Sequence, residues 1–236
     1  MSPQDHSTST VRTARMAGLA YLLQIPLGIF GVLSVPNALV VSGNLGMTAS
    51  NILSHELLFR LSMVSAILCS LDTIVTAFLL YKLLKSVNRI QAISMLAFTV
   101  VVAPIAMINE LNHAAVLVLL KSPDYAALFS VTQLQGLLSL FLNLHTYGIQ
   151  IVGIFWGLWL FPMGYLVFKS TFIPKVIGVL LIIGCLAYLV DFVTFFTFPQ
   201  FDMRLTQYTF LGEILMVLWL LIRGVNVERW KKHSVE

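Results

Sequence analysis

Charge is what this sequence has least of. Asp, Glu, Lys and Arg together make up 10% of its 236 residues, where an ordinary soluble domain carries about 25%. No segment is polar enough to form a solvated catalytic domain hung from an anchor, so that class is excluded. Cysteine is almost missing too. Cys69 and Cys185 both fall inside apolar runs, which reads as two small packing side chains and not as a disulfide. Repeats of solenoid length and low-complexity tracts are absent. The formal net charge is +4, but the basic residues sit beside apolar runs. Membrane orientation accounts for them, and no nucleic-acid partner is implied.

What the chain has in quantity is apolar length. Hydrophobic residues make up 58% of it, and many runs reach ~18 residues or more with few or no charges, the length that spans a bilayer. The expected fold is all-α: a polytopic transmembrane helix bundle of six spans, near 14–39, 61–81, 93–120, 143–168, 173–198 and 205–222, with short interfacial helices on the external side. Residues 1–13 form a polar tail, 14–222 the membrane domain and 223–236 a basic tail. The apolar segment after residue 13 is too long for a signal-peptide core, so it is read as retained. Pro26, Pro104 and Pro162 should bend their spans, since each lacks the amide proton its turn needs. Residues 51–59 read as amphipathic, with Glu56 and Arg60 paired at i,i+4.

Six spans place both ends on one side. Of the 14 Lys and Arg, Arg12, Arg15, Lys82, Lys85, Arg89, Lys169, Lys175, Arg223, Arg229, Lys231 and Lys232 then share that side. Only Arg60, Lys121 and Arg204 lie opposite. The bias puts the termini in the cytoplasm.

Against this apolar background the stretch Asn109-Glu-Leu-Asn-His113 stands out. On a helix, Glu110 and His113 are i and i+3 and share a face. Glu-x-x-His is the spacing with which bundle helices present two ligands to one metal, so these two are candidate metal ligands. Ionisable groups in a membrane interior are costly and face the bundle or a cavity. Asp72 belongs to a stripe with Ser62, Ser65, Cys69 and Thr76. Asp191 and Glu213 lie on the polar sides of spans five and six. Asn143, Tyr147 and Gln150 share one face of span four, while His145 points the other way and can pair with His113 only if span four is sandwiched or irregular there. At a rise of ~1.5 Å per residue, Asp72 and Glu213 fall near the midplane, Glu110 and Asp191 roughly 5–8 Å outward, and His113 and Gln150 about 10 Å outward. Asp72, Asn109, Glu110, His113, Gln150, Asp191 and Glu213 are therefore the expected ligand- or proton-binding residues. Glu110, His113 and at least one of Asp191 and Glu213 are expected to line one externally open cavity.

Several stretches carry a family resemblance. They are Ala14-Arg-Met-Ala-Gly-Leu-Ala-Tyr-Leu-Leu, Asn51-Ile-Leu with Leu58-Phe-Arg, Leu79-Leu-Tyr-Lys-Leu-Leu-Lys-Ser-Val-Asn-Arg, Leu144-His-Thr-Tyr-Gly, Gly164-Tyr-Leu-Val-Phe-Lys-Ser, Ile173-Pro-Lys-Val-Ile-Gly-Val-Leu and Gly212-Glu-Ile-Leu. In this order they cover nearly the whole chain. The sequence resembles the bacterial membrane proteins grouped as domain-of-unknown-function family 4386. The resemblance implies a six-helix integral membrane protein in the bacterial cytoplasmic membrane, and it carries no catalytic residues or cofactor with it.

Three functions remain open at this stage. A polar, acidic pocket in the outer half of the bundle can bind a small ligand, a proton or a cation. An intramembrane metal-dependent enzyme acting on a lipid-phase substrate would use the same acids. A non-catalytic sensor or accessory subunit would use them as interhelical hydrogen bonds. The lipid bilayer is the one partner all three share, and a homo-oligomer is compatible with each.

Overall fold

The computed structural model describes residues 3–198, 200 and 204–234. The side chains of Lys231 and Lys232, counted above in the basic tally, and much of the expected loop at 199–204 lie outside the described residues. Every described element is a helix. In order they are α1 (Pro3–Gly28), a π-helical segment (Ile29–Ser34), α2 (Val35–Leu39), α3 (Leu45–Ser54), α4 (Glu56–Leu84), α5 (Arg89–Asn109), α6 (Leu111–Lys121), α7 (Pro123–Leu128), α8 (Val131–Lys169), α9 (Lys175–Thr197), α10 (Thr206–Thr209), α11 (Leu211–Ile222) and α12 (Val227–Ser234).

Five stretches are long and apolar enough to cross a bilayer: Ser9–Leu39, Glu56–Leu84, Arg89–Lys121, Val131–Lys169 and Lys175–Thr197. A sixth apolar stretch, Thr206–Ile222, is shorter and is divided at Phe210. The outward faces explain why water cannot be the solvent. Along α9, Val176, Val179, Ile183, Leu186, Val190 and Val193 are exposed, while Ile177, Gly178, Leu181, Gly184, Cys185 and Ala187 are buried. The outward stripe is at least as apolar as the inward one, the reverse of a soluble amphipathic helix, and lipid is the medium that suits it.

Local sequence explains the irregular places. Pro36 cannot donate to the carbonyl four residues back, and the wide π turn ahead of it absorbs that loss. Asn44 accepts a hydrogen bond from the Met47 amide at 2.9 Å and so caps α3. Span four differs from expectation. Instead of the span expected near 143–168, α8 runs unbroken for 39 residues, a length of ~58 Å, about twice the hydrocarbon core. Gln133 and Gln135 sit on the exposed and half-buried sides of the same continuous helix.

The helices gather into two compact units. One comprises Gln24–Leu71 and Pro104–Ile149. Its core is Val35, Leu39, Ile52, Phe59, Val116, Leu117, Leu119 and Leu138. Ser65 donates to the Leu27 carbonyl at 2.9 Å and Cys69 to the Gln24 carbonyl at 3.7 Å, so the small, polar stripe of α4 faces α1. Glu56 accepts from Lys121 at 2.8 and 2.9 Å as well as from Arg60 at 2.7 Å, which ties the start of α4 to the end of α6.

The other unit takes in the described residues of Met1–Leu23, Asp72–Ala103 and Gln150–Glu236. Its core includes Tyr21, Leu80, Met95, Trp159, Leu160, Met163, Leu181 and Met216. Here α8 and α9 touch backbone to backbone. A Cβ on Gly164 would lie 2.7 Å from the Gly178 carbonyl oxygen, so only glycine permits that approach. The Trp230 indole donates to the Leu83 carbonyl at 2.9 Å, fastening α12 to the end of α4.

Candidate functional site

The site begins with a break in a helix. Pro104 lies within α5, and five residues later the regular ladder stops. The Glu110 amide bonds three residues back to Met107 at 3.2 Å, and α6 resumes with the Ala114 amide on the Glu110 carbonyl at 3.0 Å. Asn109 and Asn112 stabilise the break. The Asn112 amide donates at 3.1 Å to both the carbonyl and the side-chain oxygen of Asn109. Asn109 in turn donates to the His145 carbonyl of α8 at 3.0 Å. A Cβ on Gly148 would overlap the Asn109 side-chain oxygen, so glycine one turn past His145 is what lets this amide reach α8.

Glu110 therefore arrives between two histidines. Its Oε2 lies 3.1 Å from His113 Nδ1 and its Oε1 lies 3.0 Å from His145 Nε2. An ionised carboxylate only accepts, so His113 carries its proton on Nδ1 and His145 on Nε2 in this arrangement. The imidazole rings stack with centroids 3.6 Å apart and planes 23° apart. Phe59 packs edge-on to His113 at 5.0 Å. Glu110 is 4% exposed, His113 2%, His145 5% and Asn109 7%. Both imidazoles cannot comfortably be charged. Two unit charges 3.6 Å apart repel by about 4–5 kcal/mol at an effective dielectric of ~20, while one carboxylate balances only one of them. The donor atoms of Glu110, His113 and His145 all lie within 4.8 Å of one another, close enough to meet on one metal ion.

His145 is the residue that sequence reasoning misplaced. Its polar neighbours were expected to face the bundle, yet Asn143 and Tyr147 are exposed and His145 is buried. A signal was there: Leu138, His145, Val152, Trp159 and Leu166 are all buried at a spacing of seven, the repeat of a packed helix seam. A histidine on that seam points inward whatever its neighbours do.

Asp191 and Glu213 have partners of their own. Asp191 accepts from the Leu205 amide at 2.7 Å and from the Thr206 amide and hydroxyl at 2.9 and 2.7 Å, in the manner of a helix cap for α10. Glu213 accepts from the Tyr21 hydroxyl at 2.6 Å, and Tyr21 packs edge-on to Trp159 at 5.5 Å. Asp72 and Gln150 are half-buried. Of the seven residues singled out, the structure brings Asn109, Glu110 and His113 together around His145. Asp72, Gln150, Asp191 and Glu213 belong to the other unit.

Helices of this length and apolarity, with ionisable groups turned inward, define a polytopic helical membrane protein. More narrowly, the chain belongs to the family described as "Domain of unknown function (DUF4386)", which matches residues 16–224. It is also similar to an "Uncharacterized protein" of Archaeoglobus fulgidus (strain ATCC 49558 / DSM 4304 / JCM 9628 / NBRC 100126 / VC-16), 39% identical over 71 residues, which cover 30% of this chain and 43% of that protein. The chain thus spans less than half the length of the relative it matches. No solved structure matches it.

Proposed function

We propose that this protein binds a cation within the membrane at Glu110, His113 and His145, and that a divalent transition metal of the zinc type is the ion this donor set suits best. The observation that carries the reading is the convergence of three buried donors within 4.8 Å. Two imidazoles and one carboxylate are borderline ligands with bond lengths of ~2.0–2.2 Å. A tetrahedral ion with such bonds holds its ligands about 3.3 Å apart, and one donor atom from each residue already lies within 4.8 Å of the others. A small rearrangement of the three side chains would admit the ion in place of the shared protons. The bound ion would carry a net charge of about +1 with these ligands, so an anion or hydroxide would favour the fourth position.

Binding is favoured over hydrolysis. Among the described residues the cluster holds one carboxylate, and both its oxygens are engaged by imidazoles, so no second acid is placed there as a general base. Asn109 acts as a positioning residue through the His145 carbonyl. Asp191 and Glu213 enter the reading as structural acids, each held by its own donors. The reading includes a sixth crossing by Thr206–Ile222, cytoplasmic termini in a bacterial cytoplasmic membrane, and a site in the outer half of the span. The supporting observation for that depth is that Glu110 lies 21 residues from Arg89 but only 11 from Lys121, the two ends of its span, and so about 8 Å to the Lys121 side of the middle.

The test is metal content by mass spectrometry after purification in detergent and loading with Zn²⁺, with Co²⁺ as a spectroscopic substitute. About one ion per chain is expected, with a tetrahedral Co²⁺ spectrum that Glu110→Gln and His145→Ala each abolish. Wild-type protein that takes up no ion and whose thermal midpoint ignores Zn²⁺, Co²⁺, Mn²⁺ and Ni²⁺ would sink the metal reading and leave a carboxylate that accepts hydrogen bonds from two imidazoles.

A further inference from the structure

The basic residues that close the α8–α9 turn and the end of α11 surround a cavity of about 650 Å³. That volume lies within the range of small-ligand sites, ~300–1,000 Å³. Lys175, Arg223 and Arg229 line it, together with Thr171, Trp219 and Asn226, and no acidic side chain is among its lining residues. Three basic residues thus border one hollow. Arg229 spends one guanidinium N–H on the Thr171 carbonyl, at 3.0 Å, and a guanidinium has five. The Trp219 indole nitrogen is buried without a hydrogen-bond partner among the described residues. The backbone is specialised here as well. Thr171 has φ 57° and Gly224 φ 65°. Thr171 is the one non-glycine residue with positive φ among the described residues, an arrangement a β-branched side chain resists.

Position narrows the chemistry. Arg223 directly follows α11 (Leu211–Ile222) and Lys175 opens α9, so the cavity lies where apolar helices end and lipid head groups begin. The N-terminus of α9, which begins at Lys175 beside the hollow, adds a partial positive charge there. Trp219 lines the cavity at the level where indoles anchor proteins to the interface. Basic pockets at such a level select anionic head groups.

We propose that this cavity binds a phosphate-bearing anion, with Arg223 and Arg229 gripping the phosphate oxygens and Lys175 supplying the third charge. The anion can come from two sources, the head group of an anionic phospholipid or a soluble phosphate compound. The inference is independent of the metal reading, because it uses none of the residues of that cluster.

Full-length protein in detergent is delipidated and then offered phosphatidylglycerol, phosphatidylcholine, glycerol 3-phosphate or inorganic phosphate in separate arms. Native mass spectrometry and thermal midpoint are the readouts. Selective retention of phosphatidylglycerol is expected. The pair Lys175→Gln with Arg223→Gln should weaken it on the order of tenfold or more, whereas Lys121→Gln, which removes a basic residue that does not line the cavity and is paired with Glu56, should leave it unchanged. Should the pair fail to fold, Arg223→Gln alone must still lose binding. Selective binding of glycerol 3-phosphate or phosphate, lost in the same variants, would support the proposal with a soluble source. Equal retention by wild type and variants, or no preference for any phosphate anion over phosphatidylcholine, would overturn it.

Discussion

Replacing Gly148 with alanine adds one methyl group to a 39-residue helix, and its effect should be far larger than the change. The new Cβ would overlap Oδ1 and Cγ of Asn109 and stand 2.8 Å from its Nδ2, where ordinary contact begins at 3.4 Å. The amide must therefore retreat by about 1 Å or more, or α8 must move away. Asn109 is 7% exposed, so it has no free space to enter. Its retreat breaks the bond to the His145 carbonyl and loosens the one from Asn112. An interhelical hydrogen bond in a membrane averages only ~0.6 kcal/mol, so the lost bond is the smaller part. Overpacking adds ~1–3 kcal/mol, and the sum is about 2–4 kcal/mol. At ~2–4 °C per kcal/mol for a chain of this size, the thermal midpoint in detergent should fall by roughly 4–16 °C. Gly136 supplies the control. It lies on the same helix, and a methyl group added there would meet nothing within 4 Å, so Gly136→Ala should be neutral or stabilising by up to ~1 kcal/mol. Equal midpoints for the two variants would refute the argument that the Asn109–α8 contact is a close-packed device for setting His145.

Further outcomes follow from the same geometry. Glu110→Gln and His145→Ala should combine with less than additive loss of thermal stability, because each removes the same contact; strict additivity would show that the residues do not act as a unit. Asp191→Ala should cost about 1–3 kcal/mol by freeing two amides and a hydroxyl at the start of α10, while Asp191→Asn should cost less; equal losses would mean that the cap is not the reason. Tyr21→Phe should destabilise by ~1–3 kcal/mol by removing the donor to Glu213, with Glu213→Gln in the same chain recovering part of it; no recovery in the unfolding midpoint would count against that pairing. A topology reporter fused after Glu236 should read as cytoplasmic and one inserted at Gly43 as external, and reversal at either position would overturn the six-crossing reading.

The apolar lengths made the spans legible, because a helix in lipid must cover the hydrocarbon whatever it packs against. Glu110 and His113 were legible for a related reason: their i,i+3 spacing is local, and a helix satisfies it without help from the fold. His145 was not, because the expectation that polar faces turn inward assigned the bundle side to Asn143 and Tyr147, and tertiary packing chose the seam of Leu138 and Val152 instead. The partner of Glu213 is Tyr21, 192 residues away, and Asp191 is satisfied partly by backbone amides. Neither kind of pairing leaves a trace in local spacing. Pro104 did mark the region of the helix break, but the break itself falls at Glu110, where the flanking asparagines can bond the interrupted backbone.

The division of the chain also orders its manufacture. Glu110, His113, His145, Asn109 and Phe59 all belong to Gln24–Leu71 and Pro104–Ile149, so the parts of that cluster are all synthesised before Gln150. The other unit must wait for Glu213 to reach Tyr21 and for Trp230 to reach Leu83, the latter across 147 residues. At a ribosomal pace of ~5–20 residues per second, that wait is on the order of ten seconds. The cluster can therefore assemble on a nascent chain whose remaining helices do not yet exist. A crosslink between positions 27 and 65 should form in a chain stalled just after Ile149 has entered the membrane; its absence until termination would mean that the early helices stay apart until the late ones arrive.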